Sequence, residues 1–133
     1  MTQEEKELLL KDLGARLLYG VKVCIELPNH QKKVFEGHIG ELEEVTRYGG
    51  CLVNSKGIDY RSFNLDIKPY LRPMSSMTDA EKREYQAFFN YDGVEYPEEY
   101  IDWLNAHYFD YRGLIERGLA LKAPKGMYNL KKE

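Results

Sequence analysis

The sequence contains no long apolar run. Its hydrophobic stretches stop at triplets such as Leu8-Leu9-Leu10, whereas a membrane span takes roughly 18 or more consecutive apolar residues. The N-terminus, Met1-Thr2-Gln3-Glu4-Glu5-Lys6-Glu7, is acidic where a secretory leader is basic and then apolar. A cytoplasmic protein with no membrane partner is therefore expected. Cysteine is scarce: Cys24 and Cys51 both fall in stretches that read as strands, and they are expected to be free thiols. The three histidines, His30, His38 and His107, form no H-x-x-H or H-E-x-x-H spacing, and no C-x-x-C occurs, so a zinc site has no local support.

Catalytic signatures are equally sparse. No G-x-S-x-G elbow, P-loop or G-x-G-x-x-G is present. Gly37 and Gly40 enclose only His38 and Ile39, which reads as a strand bend and not a phosphate cradle. The neighbouring carboxylates Glu43-Glu44 and Glu98-Glu99 do not converge on one substrate, because adjacent residues on a helix or strand point apart. Cys24 and His38 would form a thiolate–imidazole pair only if their strands were neighbours in register, and no third, orienting residue can be named. The expectation is a protein that is not an enzyme and has no cofactor and no metal.

What is present describes a folded chain. With 133 residues, 43% hydrophobic and 31% charged, the composition excludes intrinsic disorder and fits one compact domain over 1–133. Thr2 and Glu5 form a capping box, and Leu9, Leu10, Leu13 and Leu17 make an apolar stripe, which predicts a helix over about 3–18 stopped by Gly20. The period then changes to two. Val21, Val23, Ile25 and Leu27 alternate with polar residues, Pro28-Asn29-His30-Gln31 turns the chain, and a second strand is predicted over about 33–45 with a bulge at Gly40. Tyr48-Gly49-Gly50 and Ser55-Lys56-Gly57 are turns around two further short strands, Cys51-Leu52-Val53-Asn54 and Ile58 to Phe63. A helix followed by four short antiparallel strands predicts a small SH3-like or Sm-like barrel over about 1–73. Pro69 and Pro73 argue against a central strand in Lys68-Pro69-Tyr70-Leu71-Arg72-Pro73.

Residues from about 74 onward predict a helical part. Thr78 and Glu81 form a second capping box for a helix to about Phe89, and Pro97-Glu98-Glu99 suits the start of a third. Asp110 is a candidate cap for a short turn holding Leu114 and Ile115, Gly118 ends it, and Leu119-Ala120-Leu121 offers an edge strand or a core cover. Lys125 to Glu133 reads as a loose basic tail. The fold class is therefore α+β: an N-terminal helix, a small antiparallel barrel and a helical C-terminal half.

Charge is sorted along this chain. Residues 79–110 carry nine acids against two bases, residues 111–133 carry six bases against two acids, and residues 46–73 carry five bases against two acids. The total of −3 disfavours a protein that coats nucleic acid by charge alone. Aromatics are numerous, with eleven Tyr, five Phe and one Trp, and many lie in the acidic half. Tyr and Trp suit binding surfaces because they bury area and keep a polar tip. Tyr100 and Trp103 are the candidates there. In the barrel half, Tyr48, Tyr60, Arg61 and Phe63 with Lys56 and Lys68 resemble the mixed aromatic and basic surfaces on which bases stack, and Lys56, Tyr60, Arg61 and Lys68 are the candidates.

The stretch Lys68 to Thr78, KPYLRPMSSMT, the stretch Ile101 to Ile115, IDWLNAHYFDYRGLI, and the opening Leu9-Leu10-Lys11-Asp12-Leu13 resemble small uncharacterised proteins of gut Bacteroidetes and their phages or prophages. The resemblance spans nearly the whole chain. It implies a bacterial cytoplasmic setting and a mobile-element origin, and it supplies no activity or site residue. The leading expectation is a non-catalytic interaction or accessory protein whose partner is another protein. The alternative is a nucleic-acid-binding module that uses the barrel.

Overall fold

A computed structural model describes residues 1–25, 39–62, 65–89 and 97–128. The N-terminal helix starts where its capping box predicts: the Thr2 hydroxyl accepts from the Glu5 amide and the Glu5 carboxylate accepts from the Thr2 amide. This helix, α1 (Gln3–Arg16), passes into a 3-10 turn, Leu17–Tyr19, and ends at Gly20, whose φ of 68° a side chain would resist. Six strands follow: β1 (Lys22–Ile25), β2 (Ile39–Val45), β3 (Cys51–Ser55), β4 (Ile58–Ser62), β5 (Ile67–Leu71) and the short β6 (Leu121–Lys122). Two helices, α2 (Asp79–Ala87) and α3 (Pro97–Ala106), lie between β5 and β6.

The strands form one sheet in the order β4-β3-β2-β1-β5-β6, with β6 parallel to β5 and all other neighbours antiparallel. Period-two burial selects the core face. Val23 and Ile25, Gly40 and Leu42, Cys51 and Val53, and Ile67 and Leu71 turn inward to meet Leu9 and Leu13 of α1 and Leu114, Leu119 and Ala120. Both cysteines are free, and burial pushes the Cys51 thiol up to about 11.

Several expectations need correction. The sheet is open and not a closed SH3-like or Sm-like barrel, and among the described residues no pairing joins β4 to β5. The edge of β5 that closure would require is occupied: β6 pairs with Tyr70 and Leu71, and Arg72 bridges to Phe109. The segment around Pro69 is a strand despite its proline. Pro69 lies opposite Val23, and β6 reaches only Tyr70 and Leu71, so the missing N–H falls on a side where no strand asks for it. The register shift of β2 lies between Leu42 and Glu44 and not at Gly40. The tail is anchored as far as Tyr128, whose hydroxyl donates to the Tyr70 carbonyl at 2.7 Å and accepts from the Lys22 amide at 2.9 Å. The turn at Pro28–Gln31, the first part of the second strand, Phe63 and His38 lie outside the described residues. So does the Cys24–His38 pairing.

Gly40 has a different reason to be glycine. A Cβ there would stand 2.4 Å from Val53 Cγ1 and 2.8 Å from the Asn54 carbonyl oxygen, so β2 and β3 meet at a distance that excludes a side chain. Gly40→Ala is expected to lower the unfolding free energy by about 1–3 kcal/mol, the usual cost of overpacking. The readout is a lower urea midpoint at unchanged m.

Candidate functional site

Two arginines organise the contact between the N-terminal and C-terminal parts of the chain. The buried stripe of α1 is Leu9, Asp12, Leu13 and Arg16, so a charged pair shares the face that the leucines line. Arg16 Nε and Nη2 donate to the two Asp12 oxygens at 3.0 and 3.1 Å, and Nη2 also donates to the Phe109 carbonyl at 2.6 Å. Arg112 Nη1 donates to Asp12 Oδ1 at 2.7 Å. The Tyr111 ring takes both guanidinium groups, with Arg16 at 5.3 Å and Arg112 at 4.5 Å from its centre, and its hydroxyl donates to Asn105. Arg16 Nη1 is buried without a hydrogen-bond partner among the described residues.

Arg72 is the second organiser. Its two terminal nitrogens donate to the two Glu81 oxygens at 2.8 and 2.7 Å, its Nη1 also donates to the His107 carbonyl, and its guanidinium lies 4.2 Å from the centre of the Phe109 ring. Glu81 is also the reciprocal partner of Thr78 in the capping box of α2. Burial works to raise the Glu81 pKa. The Arg72 hydrogen bonds, the Thr78 amide and the Arg72 charge outweigh it and hold the carboxyl at about 2. One carboxylate thus starts α2 and ties that start to the end of β5.

An aromatic group is built on this frame. After α3 the chain reverses through Tyr108, at a left-handed φ of 63°, and the Phe109 amide returns to the Leu104 carbonyl. A side chain in that conformation costs about 1 kcal/mol. Tyr108 offsets it by stacking on Tyr128, with ring centres 3.7 Å apart, and by donating its hydroxyl to the Tyr19 carbonyl. Phe109 then lies fully buried against Trp103, which stacks on His107 at 4.2 Å and on Tyr85 at 5.8 Å. Trp103 Nε1 donates to Glu84, and His107 Nδ1 donates to the Trp103 carbonyl. Phe89 meets both Tyr85, at 5.2 Å, and Tyr100, at 5.1 Å, and is itself 46% exposed. Tyr85, Phe88, Tyr100 and Trp103 are half-buried, and exposed Glu84, Glu98, Glu99 and Asp102 belong to the same two helices.

The six residues singled out from the sequence separate into two outcomes. Tyr100 and Trp103 come together, with Tyr85, Phe88 and Phe89 around them. The barrel set does not converge. Lys56 is exposed in the β3–β4 turn, Tyr60 packs against the core, and Arg61, its chain neighbour, is exposed on the opposite side of the pleat. Lys68 pairs opposite Cys24 on β5, four strand spacings from β4, or about 20 Å. Sequence reasoning did not identify Asp12, Arg16, Arg72 or Phe109. The available signal was an Asp–Arg pair at i, i+4 inside a leucine stripe.

Asp12 and Glu81 are held in ion pairs, and Asp110 is engaged by the Leu114 and Ile115 amides. Among the described residues no three His, Cys, Asp or Glu side chains gather in a way that could hold a metal ion. A shallow groove of about 350 Å³ between α1 and the end of β2, bordered by Leu10, Gly14, Val45 and Arg47, is open and of mixed charge. No protein-family model, curated protein or solved structure matches the chain.

Two consequences are measurable. Asp12→Ala leaves the Arg16 guanidinium buried without its counter-charge and is expected to destabilise by about 3–5 kcal/mol, read by chemical denaturation. For Glu81 the folded pKa lies below the ordinary value of 4.5, so its stabilisation is complete above about 4.5 and is lost as pH falls toward about 2. Glu81→Gln keeps the capping geometry and removes the charge. That variant should unfold more easily at pH 6, and its thermal midpoint should fall less between pH 5 and pH 2.5 than that of the parent.

Proposed function

We propose that the chain is a non-catalytic protein-binding module whose α2–α3 face receives a basic segment of another protein. The observation that carries this reading is the half-exposed ring group of Tyr85, Phe88, Phe89, Tyr100 and Trp103, with exposed Glu84 bonded to Trp103 and exposed Glu99 one turn before Trp103 on α3. Rings with polar tips and few rotatable bonds lose little entropy on binding, and a carboxylate rim favours Lys and Arg in the partner. The resemblance to small proteins of gut Bacteroidetes and their phages or prophages adds an accessory role in a bacterial or mobile-element setting.

The nucleic-acid alternative has less support. The outward face of the sheet carries Glu41, Glu43, Glu44 and Asp59, which would repel phosphate, and its basic candidates are dispersed.

The experiment is affinity capture from a bacterial host lysate with and without nuclease, run in parallel with Phe89→Ser and with the double variant Glu84→Lys/Glu99→Lys. The expected result is a nuclease-resistant partner with a Lys- or Arg-rich segment, recovered at least several-fold less by both variants. A synthetic peptide of that segment should then bind the parent protein in a salt-sensitive manner. Recovery that disappears with nuclease would replace this reading by the nucleic-acid one, with Lys56, Arg61 and Lys68 as the first substitutions. A protein partner held equally by both variants would overturn the assignment of the surface.

A further inference from the structure

β4 is the outermost strand at one end of the sheet, and no strand lies beyond it among the described residues. Its hairpin decides which backbone groups face outward. Lys56 and Gly57 form a two-residue turn, both at positive φ, 54° and 84°. In such a turn the flanking residues Ser55 and Ile58 make a hydrogen-bonded pair. By alternation Ile58, Tyr60 and Ser62 direct their N–H and C=O groups to β3, and Asp59 and Arg61 direct theirs to the open edge. The β3–β4 ladder is continuous, without the bulge that often protects an edge, and β4 contains no proline or lysine.

The side chains on this edge are self-complementary. Asp59 and Arg61 are both exposed, on the side of the sheet away from the core, one residue to either side of Tyr60. We propose that two copies of this chain pair antiparallel along β4, centred on Tyr60, so that Asp59 of each copy lies opposite Arg61 of the other and the two sheets become one. This register makes the outward N–H and C=O groups of Asp59 and Arg61 reciprocal partners, giving four backbone hydrogen bonds across the junction. It also selects itself. A slip of two residues in one direction sets Asp59 against Asp59, and in the other Arg61 against Arg61, while a slip of one residue misaligns the backbone groups.

The surroundings of Asp59 favour an arriving cation. Asn54 Nδ2 donates to Asp59 at 2.8 Å, and Glu43 lies close enough to hydrogen-bond with it. That contact, together with the charges of Asp59, Glu41 and Glu44, lifts the Glu43 carboxyl above its usual range. Asp59, Glu43, Glu41 and Glu44 therefore gather beside the edge, and among the described residues Arg61 forms no ion pair. This surface is separate from the α2–α3 face, so the two proposals stand or fall independently.

The test is sedimentation equilibrium of the full chain over a wide concentration range, with four variants. The parent is expected to dimerise. Asp59→Arg and Arg61→Asp each place like charges opposite one another and should weaken association by at least about tenfold. An equimolar mixture of these two variants should associate, because Arg at 59 and 61 of one chain then faces Asp at 61 and 59 of the other. The double swap D59R/R61D should self-associate like the parent. Arg61→Pro removes an outward N–H and should stay folded by circular dichroism while remaining monomeric. A parent that is monomeric at its highest soluble concentration would overturn the proposal. So would a dimer indifferent to the single swaps, or single-swap losses that the mixture does not restore.

Discussion

The interaction on which the rest of the structure depends is the burial of the Arg16 guanidinium. A charge without solvent needs a counter-charge and further hydrogen-bond partners, and α1 supplies only Asp12. The Phe109 carbonyl supplies the next acceptor, 93 residues along the chain. Bringing that carbonyl to Arg16 places Tyr111 and Arg112 beside it, and Arg112 takes the remaining capacity of Asp12. Buried ion pairs add little net stability compared with apolar packing of the same volume. Their consequence here is geometric: Arg16 Nη2 and the Asp12 carboxylate gain their long-range partners only when residues 109–112 lie against the last turn of α1.

Phe109 transmits this constraint to the other face of the molecule. Its carbonyl is held by Arg16, its ring lies under Arg72, and Arg72 exchanges backbone hydrogen bonds with Tyr108 and Asp110. Arg72 is fixed in turn by Glu81, the residue that caps α2. Trp103 and His107 stack on or near Phe109, so α3 is oriented by the same ring. The aromatic face proposed for binding is therefore positioned by a chain of contacts that begins in the core. Rings held this way present their edges without first having to be ordered, which is what a recognition surface needs.

Local signals in the sequence were reliable where the physics is local. Both capping boxes, the turn at Lys56-Gly57, the stop at Gly20 and the start of α3 at Pro97 fall where side-chain and backbone preferences place them. What was not legible depends on partners distant in sequence. Asp12 and Arg16 interrupt an apolar stripe, and their place in the core makes sense only with Phe109 and Arg112 present. Pro69 argues against a strand by rule, yet stands in one because β6 is too short to reach it. Tyr128 belongs to a basic tail by composition and is docked by three backbone groups and the Tyr108 ring. The described members of the aromatic and basic set of the barrel half are dispersed for a simpler reason. Tyr60 and Arg61 are consecutive on a strand, and the pleat sends consecutive side chains to opposite faces.

The strand order also decides how the two proposed surfaces relate. β4 closes one end of the sheet, whereas α2 and α3 are tied through Arg72 to the end of β5, beyond β3, β2 and β1. Association along β4 thus leaves Arg72, Glu81 and the aromatic rings untouched. A dimer formed there would carry two copies of the α2–α3 face on one continuous sheet. For a partner with repeated basic segments, or a partner that is itself an oligomer, the second contact then becomes intramolecular. Such coupling raises the apparent affinity by about 100-fold or more without any new contact, provided the geometry lets both faces engage. On the two proposals together, the strand that would supply the symmetry lies at the opposite end of the sheet from the strand to which α2 is tied, so pairing along β4 would not compete with binding at the α2–α3 face.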